Sequence, residues 1–206
     1  MVTSNKDLMT QARKSLSGRW GLAVGTCFVY LLIMGAIGNL NYAFSSDGSK
    51  IAVSLAPLLL GGAFSLGIAT FSLAIARNEN AELEMIFSGF KYYAKTLGLY
   101  LLMVVFVLLW MLLLIVPGII AAISYSMAFY IMRDNPNIKA MEAINASKKM
   151  MHGYKWKYFC LGLRFIGWIL LSILSLGIGL LWVVPYMSVA HAKFYDDLKA
   201  YSVEAQ

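Results

Sequence analysis

The chain has 206 residues, of which 60% are hydrophobic and only 13% are charged. Its mean hydropathy is +0.71, more apolar surface than a soluble domain of this length can bury, and the sequence has no collagen period, disulfide framework or polar low-complexity tract. The composition predicts an all-α, polytopic integral membrane protein. In such a protein, a net charge of +7 reflects basic residues in the connections rather than binding to nucleic acid.

The first two predicted membrane segments are Trp20 to Leu40 and Ile51 to Ala76, which are both uncharged. Each is long enough to cross a hydrocarbon core of about 30 Å at 1.5 Å per residue. The connection 41–50 is polar and rich in turn residues. The first segment is longer than the apolar region of a signal peptide and lacks a small-residue cleavage site, so we expect an uncleaved first span.

Two longer apolar runs follow: Thr96 to Met132 has no charge, and Trp156 to Ala190 has only Arg164 beyond Lys157 at its start. As single helices they would be about 50–55 Å long, well beyond the thickness of a membrane. Each run has helix-breaking residues near its middle, so it forms either one kinked helix or a helical hairpin. The residues of the predicted turns are Pro117, Gly118, Gly177 and Gly179.

The placement of charge favours the hairpins. With two hairpins, all of the 17 basic residues except Lys50 and Arg164 lie on one face. With single crossings, the basic segments 77–95 and 133–157 would lie on opposite faces. Because short cytoplasmic loops carry an excess of Lys and Arg, the sequence predicts six membrane segments as three hairpins, with both termini cytoplasmic. The fourth and sixth segments are short enough to be either full spans or re-entrant.

The cytoplasmic segments resemble one another. Each hairpin follows a predicted amphipathic interfacial helix and a corner of glycine, cation and aromatic residue, and each ends on Ser-x-Ala, at Ser72, Ser126 and Ser188. We expect the glycine to turn the chain into the bilayer, the aromatic residue to lie among the headgroups and the cation to face anionic lipid. The predicted corner residues are Gly18, Arg19, Trp20, Gly89, Lys91, Tyr92, Gly153, Lys155 and Trp156.

These similarities predict three copies of one unit within a single membrane domain, 1–206. The units run roughly over 4–77, 80–133 and 135–195, a pseudo-threefold repeat. The alternative is that the shared residues are simply those with which any membrane helix begins.

The sequence predicts no enzyme, no cofactor and no metal site. It has no zinc-protease, serine-hydrolase or P-loop motif. All ten acidic residues lie outside the predicted membrane segments, which disfavours an ion-coupled transporter. We interpret Asp196 and Asp197 as a solvated helix end, because nothing nearby completes an oxygen shell for a metal.

Arg164 is the one charge inside a predicted membrane segment. It lies about 10 Å into its helix, so its side chain can reach back to the headgroups or bond to another helix, with a lipid phosphate or an anionic solute as the alternative partner. The candidate contacts for an anion or a lipid headgroup are Arg164, Arg19, Lys91 and Lys155. Gly61, Gly62 and Gly67 predict close helix packing, with the wall of a conduit as the alternative.

A set of short motifs occurs in order along the C-terminal two-thirds of the chain: Leu113–Ile119, Tyr125–Ala128, Asp134–Pro136, Ala143–Ile144, Ser147, Phe165–Trp168, Leu176–Gly179, Leu181–Trp182, Pro185–Tyr186 and Phe194–Tyr195. Together these motifs resemble the bacterial integral-membrane family catalogued as domain of unknown function 975. The N-terminal third resembles this family only in its layout. The resemblance implies a multi-pass protein of the bacterial cytoplasmic membrane and no particular activity, and Arg164 is not part of the pattern.

The sequence predicts a non-enzymatic protein that acts through contact with membrane lipids, mainly anionic headgroups of the cytoplasmic leaflet. A membrane-protein partner or a second copy of the chain is a further expected contact. The alternative is a passive transporter or channel for a small solute or a lipid, with the three hairpins enclosing the path.

Overall fold

The computed structural model describes residues 3–43 and 47–204, and this part of the chain is all-helical, as predicted. It holds nine α-helices and one 3-10 helix. They are α1 (Asn5–Leu16), α2 (Trp20–Ala43), α3 (Asp47–Ala76), the 3-10 helix (Leu83–Tyr92), α4 (Tyr93–Leu113), α5 (Ile115–Tyr125), α6 (Ala128–Asp134), α7 (Ala140–Met150), α8 (Lys155–Leu174) and α9 (Leu180–Glu204).

Five stretches of the described chain are long and apolar enough to cross a membrane. They are Trp20–Ile37, Leu55–Ala76, Leu83–Leu113, Ile115–Asp134 and Lys155–Leu174. The predicted sixth segment, in α9, is not among them, because the second half of α9 carries Lys193, Asp196 and Asp197. Large apolar side chains cover the outside of these helices, and Leu112 and Leu176 keep 89% and 94% of their surface exposed. Apolar surface on this scale indicates a membrane protein.

The chain reverses direction at Leu114, three residues before the predicted turn at Pro117 and Gly118. Leu114 is extended (φ −161°, ψ 145°), and α5 returns along α4 so closely that a Cβ on Gly118 would lie 2.3 Å from Cγ of Met111. Pro117 lies in the first turn of α5. Backbone N–H groups in the first turn have no acceptor within the helix, so a residue without an N–H is tolerated there. Pro117 and Gly118 therefore begin the returning helix and do not form the turn.

A second reversal, between α8 and α9, lies where the sequence predicts it. Leu176 and Gly177 have positive φ (55° and 85°), and the N–H of Gly177 donates to the carbonyl of Ser172 at 2.9 Å. A Cβ on Gly179 would lie 2.6 Å from Oγ of Ser172, so only glycine permits the close return. The connection predicted at 41–50 is shorter, since α2 reaches Ala43 and α3 begins at Asp47, and residues 44–46 lie outside the described part.

The three amphipathic segments differ in how they begin. Ser4 caps α1 by accepting from the N–H of Asp7 at 3.2 Å. The second segment is a 3-10 helix without a side-chain cap, and α7 begins after Lys139, whose N–H donates to Glu142 at 3.1 Å. α1 packs on α9, the 3-10 helix packs on α3, and α7 packs on α6 and α4.

The 3-10 helix lies in backbone contact with α3. A Cβ on Gly67 would lie 1.8 Å from the carbonyl oxygen of Ile86, and a Cβ on Gly89 would lie 2.0 Å from that of Ala63. A Cβ on Gly62 would likewise lie 2.4 Å from the carbonyl oxygen of Thr96. The glycines of α3 therefore serve close packing, which is the predicted role.

The centre of the core is formed by α3, by α6 with the turn before it, and by α9. Leu73 and Ile75 of α3, Met127 of the turn before α6, and Phe194 and Tyr195 of α9 are each at most 1% exposed. α7 is fixed to this centre by one buried hydroxyl: the Oγ of Ser147 donates to the carbonyl of Ser124 at 2.7 Å and accepts from the N–H of Met127 at 3.2 Å. This packing brings the C-terminal parts of α3, α6 and α9 together.

Candidate functional site

Three helices bring charged side chains to one end of the molecule, and two of them end there for local reasons. α3 stops because Asn78 is left-handed (φ 58°) and its N–H bonds back to the carbonyl of Ile75. α6 stops at Asp134, two residues before Pro136, which disfavours helix in the residue that precedes it. α9 continues past this level.

These helix ends form an ionic cluster of Arg77, Glu79, Arg133, Asp134, Asp196 and Lys199. Its three cations and three carboxylates balance in charge. They come from α6, from α9 and from the residues that directly follow α3. The cluster therefore joins parts of the chain that are far apart in sequence.

Asp134 is the centre of the cluster, and its side chain is only 6% exposed. Arg77 approaches it with two parallel hydrogen bonds, both 2.9 Å, and Arg133 donates a third at 3.1 Å. Lys199 and the hydroxyl of Tyr195 also donate to Oδ2. The carboxylate is thus satisfied by charge-assisted bonds from three helices, which is the condition under which a buried charge is tolerated.

Arg77 links the cluster together. Its Nη2 donates to Asp196 at 2.7 Å while the same guanidinium holds Asp134. The hydrogen bonds with Asp134, and then those with Asp196, raise the pKa of Arg77 still further above its ordinary value. Arg77 is therefore a permanent cation, with both of its carboxylates already engaged.

Tyr195 supports the cluster from the core side. Its hydroxyl lies 3.0 Å from Oδ2 of Asp134, and its ring stacks on Tyr130 with centroids 5.4 Å apart. Burial, and then the charge of Asp134, raise the pKa of Tyr195 above its ordinary value. The phenol therefore stays protonated and donates.

Further bonds tie other segments to the same end. The N–H of Thr3 donates to Asp197 at 3.0 Å, and Lys157 lies 3.7 Å from the same carboxylate. Arg19 donates to the carbonyl of Glu79 at 2.9 Å. Lys95 donates to the carbonyl of Pro136 at 2.8 Å. The N-terminal segment, the segments 77–95 and 133–157, and the second half of α9 are therefore neighbours.

The predicted anion contacts lie in different surroundings. Arg164 is exposed and has no hydrogen-bond or ion-pair partner within residues 3–43 and 47–204. Arg19 is engaged by the carbonyl of Glu79. Lys91 is exposed, with its Nζ 5.9 Å from the centroid of Tyr92. Lys155 lines a groove. The structure therefore does not bring these four side chains into one site.

Two of the three predicted corner glycines lie at turns of the chain. Gly18 and Gly153 have positive φ (78° and 82°), the conformation that glycine permits at a sharp turn. Trp156 is 72% exposed and Trp20 packs edge-on against Tyr186, with ring centroids 6.3 Å apart.

The third predicted corner, at Gly89, is wrong. The 3-10 helix passes through this residue and is followed directly by α4. Gly89 is needed for its contact with the backbone of Ala63, not for a turn. Tyr92, predicted as the anchor of this corner, is the last residue of the 3-10 helix.

The interpretation of Asp196 and Asp197 as a solvated helix end is also wrong. Their side chains are 28% and 17% exposed and are engaged by Arg77 and Lys157. The sequence held one signal for the cluster: each Ser-x-Ala motif is followed within seven residues by a basic residue, Arg77, Arg133 or Lys193. The first two of these join the cluster, and Lys199 takes part from α9.

Two grooves open on the surface of the helices, each about 210 Å³ in volume. The α5 groove has Lys148 and Lys155 at its mouth, and Trp110 and the face of α5 from Pro117 to Tyr125 as its walls. The α9 groove has Arg13 at its mouth, and its walls are mainly aromatic: Trp20, Trp168, Trp182 and Tyr186. In the described residues, no three His, Cys, Asp or Glu side chains come close enough to hold a metal ion.

The all-helical fold and the five long apolar stretches are compatible with a helical membrane protein. The chain belongs to the family described as Protein of unknown function (DUF975), whose model matches residues 1–124 and 111–202. The resemblance found in the sequence is therefore confirmed, and it includes the N-terminal third. No curated protein and no solved structure matches the chain.

Proposed function

We propose that the chain is a protein of the bacterial cytoplasmic membrane with six membrane segments in three hairpins and both termini in the cytoplasm. It is not an enzyme, and it acts through contact between its cytoplasmic side and anionic lipids. A membrane-protein partner or a second copy of the chain is the further contact. The convergence of the basic segments on the ionic cluster carries this proposal.

The bond between Arg77 and Asp134 supports the hairpins. The two residues flank the long apolar run 96–132, and their side chains are 2.9 Å apart. A run that crossed the membrane once would separate its two flanks by the thickness of the membrane, about 30 Å. The ion pair between Lys157 and Asp197 supports the same arrangement for the third hairpin, because Lys157 lies at the start of the run 156–190 and Asp197 follows its end.

The positions of the cations support lipid contact. Each amphipathic segment carries basic residues in its last turn: Arg13 and Lys14 in α1, Lys91 in the 3-10 helix, and Lys148 and Lys149 in α7. Cations at a helix C-terminus are favoured by the helix dipole, and each cation near an anionic membrane surface contributes about 1 kcal/mol. These cations belong to segments that pack next to the ionic cluster.

The ionic cluster supports a non-enzymatic role. Its carboxylates are engaged by its own cations, so its chemistry holds helices together. The alternative of a passive path for a solute or a lipid stays a prediction.

The proposal predicts that anionic lipid stabilises the purified full-length protein more than neutral lipid does. We expect phosphatidylglycerol to raise the apparent unfolding temperature in neutral detergent above the value with the same amount of phosphatidylcholine, because only the former attracts the last-turn cations. The difference should shrink in about 1 M salt, where the Debye length is about 3 Å. Equal stabilisation by the two lipids at low salt would contradict the proposal.

A further inference from the structure

The α5 groove has a cationic mouth and an apolar wall. Lys148 follows Ser147, the residue that holds α7 against the carbonyl of Ser124, so the lysine lies where α7 meets the end of α5. Lys155, at the start of α8, lines the same groove. From this mouth the wall follows α5 for eight residues, about 12 Å, toward Pro117 and the reversal of the chain.

The α9 groove repeats this design between α8, α9 and the first unit. The hydroxyl of Tyr186 donates to the carbonyl of Met9 at 3.1 Å, which fixes α1 over the end of the groove, and Arg13 of α1 lines its mouth. Trp182 and Trp168 continue the wall toward the reversal between α8 and α9. The groove is again charged at one end and apolar along the rest.

The two grooves use equivalent positions of the proposed repeat. Arg13 and Lys148 each lie five residues before a left-handed corner glycine, and Trp20 and Lys155 each lie two residues after it. The wall positions also correspond, since in each groove they lie six, five and two residues before the serine of Ser-x-Ala. They are Ile120, Ala121 and Ser124 in the α5 groove, and Trp182, Val183 and Tyr186 in the α9 groove.

In the third set of equivalent positions, both the wall and the mouth differ from those of the two grooves. Gly67 takes the wall position, and it lies in backbone contact with Ile86, so the 3-10 helix fills the space of a groove. The position of the mouth cation is taken by Glu84. A basic residue therefore occurs at this position in the two units whose wall positions line a groove, and an acidic residue in the one whose wall position is covered by the 3-10 helix.

We infer that the α5 and α9 grooves each bind one phospholipid with an anionic headgroup. The phosphate lies at the basic mouth, and the upper part of one acyl chain lies along the groove wall. The inference rests on the proposed function, because it places the grooves at the cytoplasmic leaflet.

The chemistry of the grooves selects this occupant. An acyl chain fits a narrow apolar wall, and a phosphate fits one or two cations at its end. A groove of about 210 Å³ holds only part of a lipid. The remainder lies against the surrounding surface, where Leu109 and Trp110 are 58% and 46% exposed. A free anion would leave the apolar wall uncovered, and an apolar ligand would leave the cations unused.

Native mass spectrometry of the full-length protein tests the inference. With phosphatidylglycerol we expect two lipids to stay bound per chain, and fewer with phosphatidylcholine. Lys148→Gln with Lys155→Gln should remove one of the two and weaken its binding about fivefold per lysine; Arg13→Gln should remove the other. The matched controls are Lys6→Gln and Lys139→Gln, exposed cations at the starts of α1 and α7 that neither line the grooves nor belong to the last-turn cations, and both should retain two lipids.

Three results would overturn the inference. The first is that the control variants lose as much lipid as the groove variants, while the protein still prefers phosphatidylglycerol. In that case the proposed function stands, but the grooves are not the lipid sites. The second is competition by water-soluble glycerophosphate at equal concentration, which would make the mouths sites for a free anion. The third is a change from dimer to monomer in the groove variants with bound lipid unchanged, which would assign the grooves to a second copy. An unchanged unfolding temperature of the lipid-free variants shows that they are folded.

Discussion

Asp134→Asn should destabilise the protein by about 3 kcal/mol, because it removes the one carboxylate that three cations share. The asparagine cannot carry the charge that balances Arg77, Arg133 and Lys199, and its amide nitrogen would face those donors. The side chain is 6% exposed, so water cannot replace the lost charge. The free energy of unfolding in mixed micelles, followed by tryptophan fluorescence, measures the effect.

A second variant separates the loss of the pair from a general effect of substitution. Removing Arg77 together with Asp134, in Arg77→Met with Asp134→Leu, should cost less than the sum of the two single substitutions, because the bond between the two residues is then lost only once. Glu142→Gln is the surface control, as Glu142 is exposed and accepts only from the N–H of Lys139. If Asp134→Asn were no more destabilising than Glu142→Gln, the ionic cluster would not hold the three helices together.

Gly67→Ala should destabilise the protein by about 2–3 kcal/mol, the upper part of the range for overpacking a well-packed interior. The new Cβ would lie 1.8 Å from the carbonyl oxygen of Ile86, and a backbone atom cannot move aside without shifting the whole 3-10 helix. The same unfolding measurement gives the size of the effect.

Gly98→Ala is the matched control for Gly67→Ala. Gly98 lies inside α4, and a Cβ there meets nothing within 4 Å. Alanine at this position should stabilise the protein by about 0.5–1 kcal/mol, because it reduces the freedom of the unfolded backbone. Similar effects of the two substitutions would show that α3 and the 3-10 helix are not in close contact.

The sequence predicts those features of this fold that depend on short stretches. Uncharged runs indicate the apolar helices, and the cap at Ser4 is a local pattern. Gly18 and Gly153 mark sharp turns because each follows an amphipathic helix that cannot continue into the apolar run. The same local pattern surrounds Gly89, and there the prediction fails, because a long-range contact with Ala63 decides the conformation.

The turn before α5 shows a second limit of local signals. Proline and glycine mark both turns and the first turns of helices, and Pro117 belongs to the latter group. Leu114, the residue that takes the extended conformation, carries no turn signal of its own. The sequence therefore locates a break in the run but places it three residues too late.

Local sequence patterns do not predict the ionic cluster. Asp134 meets Arg77 from 57 residues away and Lys199 from 65 residues away. Nothing near these residues in the sequence indicates that α3, α6 and α9 lie side by side. The predicted equivalence of the three Ser-x-Ala motifs places the charges that follow them at one level of the molecule, and this is the signal that the sequence does provide.

The two grooves are lined by corresponding positions of the proposed repeat. Arg13, which lines the α9 groove, comes from α1, the first helix of the chain. The ionic cluster joins the ends of α3, α6 and α9. In our proposal, the ionic cluster fixes the helices and the cations at the groove mouths contact lipid.

Labelling of single cysteines in intact spheroplasts tests most directly whether the long apolar run 96–132 doubles back. The variants are Glu82→Cys and Asn137→Cys, two exposed positions that flank the run 96–132, and Ser46→Cys in the connection predicted to face outward, all in a Cys27→Ala and Cys160→Ala background. With a membrane-impermeant maleimide, we predict that only the cysteine at 46 reacts in spheroplasts, and that those at 82 and 137 react in inverted vesicles. Reaction of 137 but not of 82 in intact spheroplasts would place the two ends of the run on opposite faces and contradict the account.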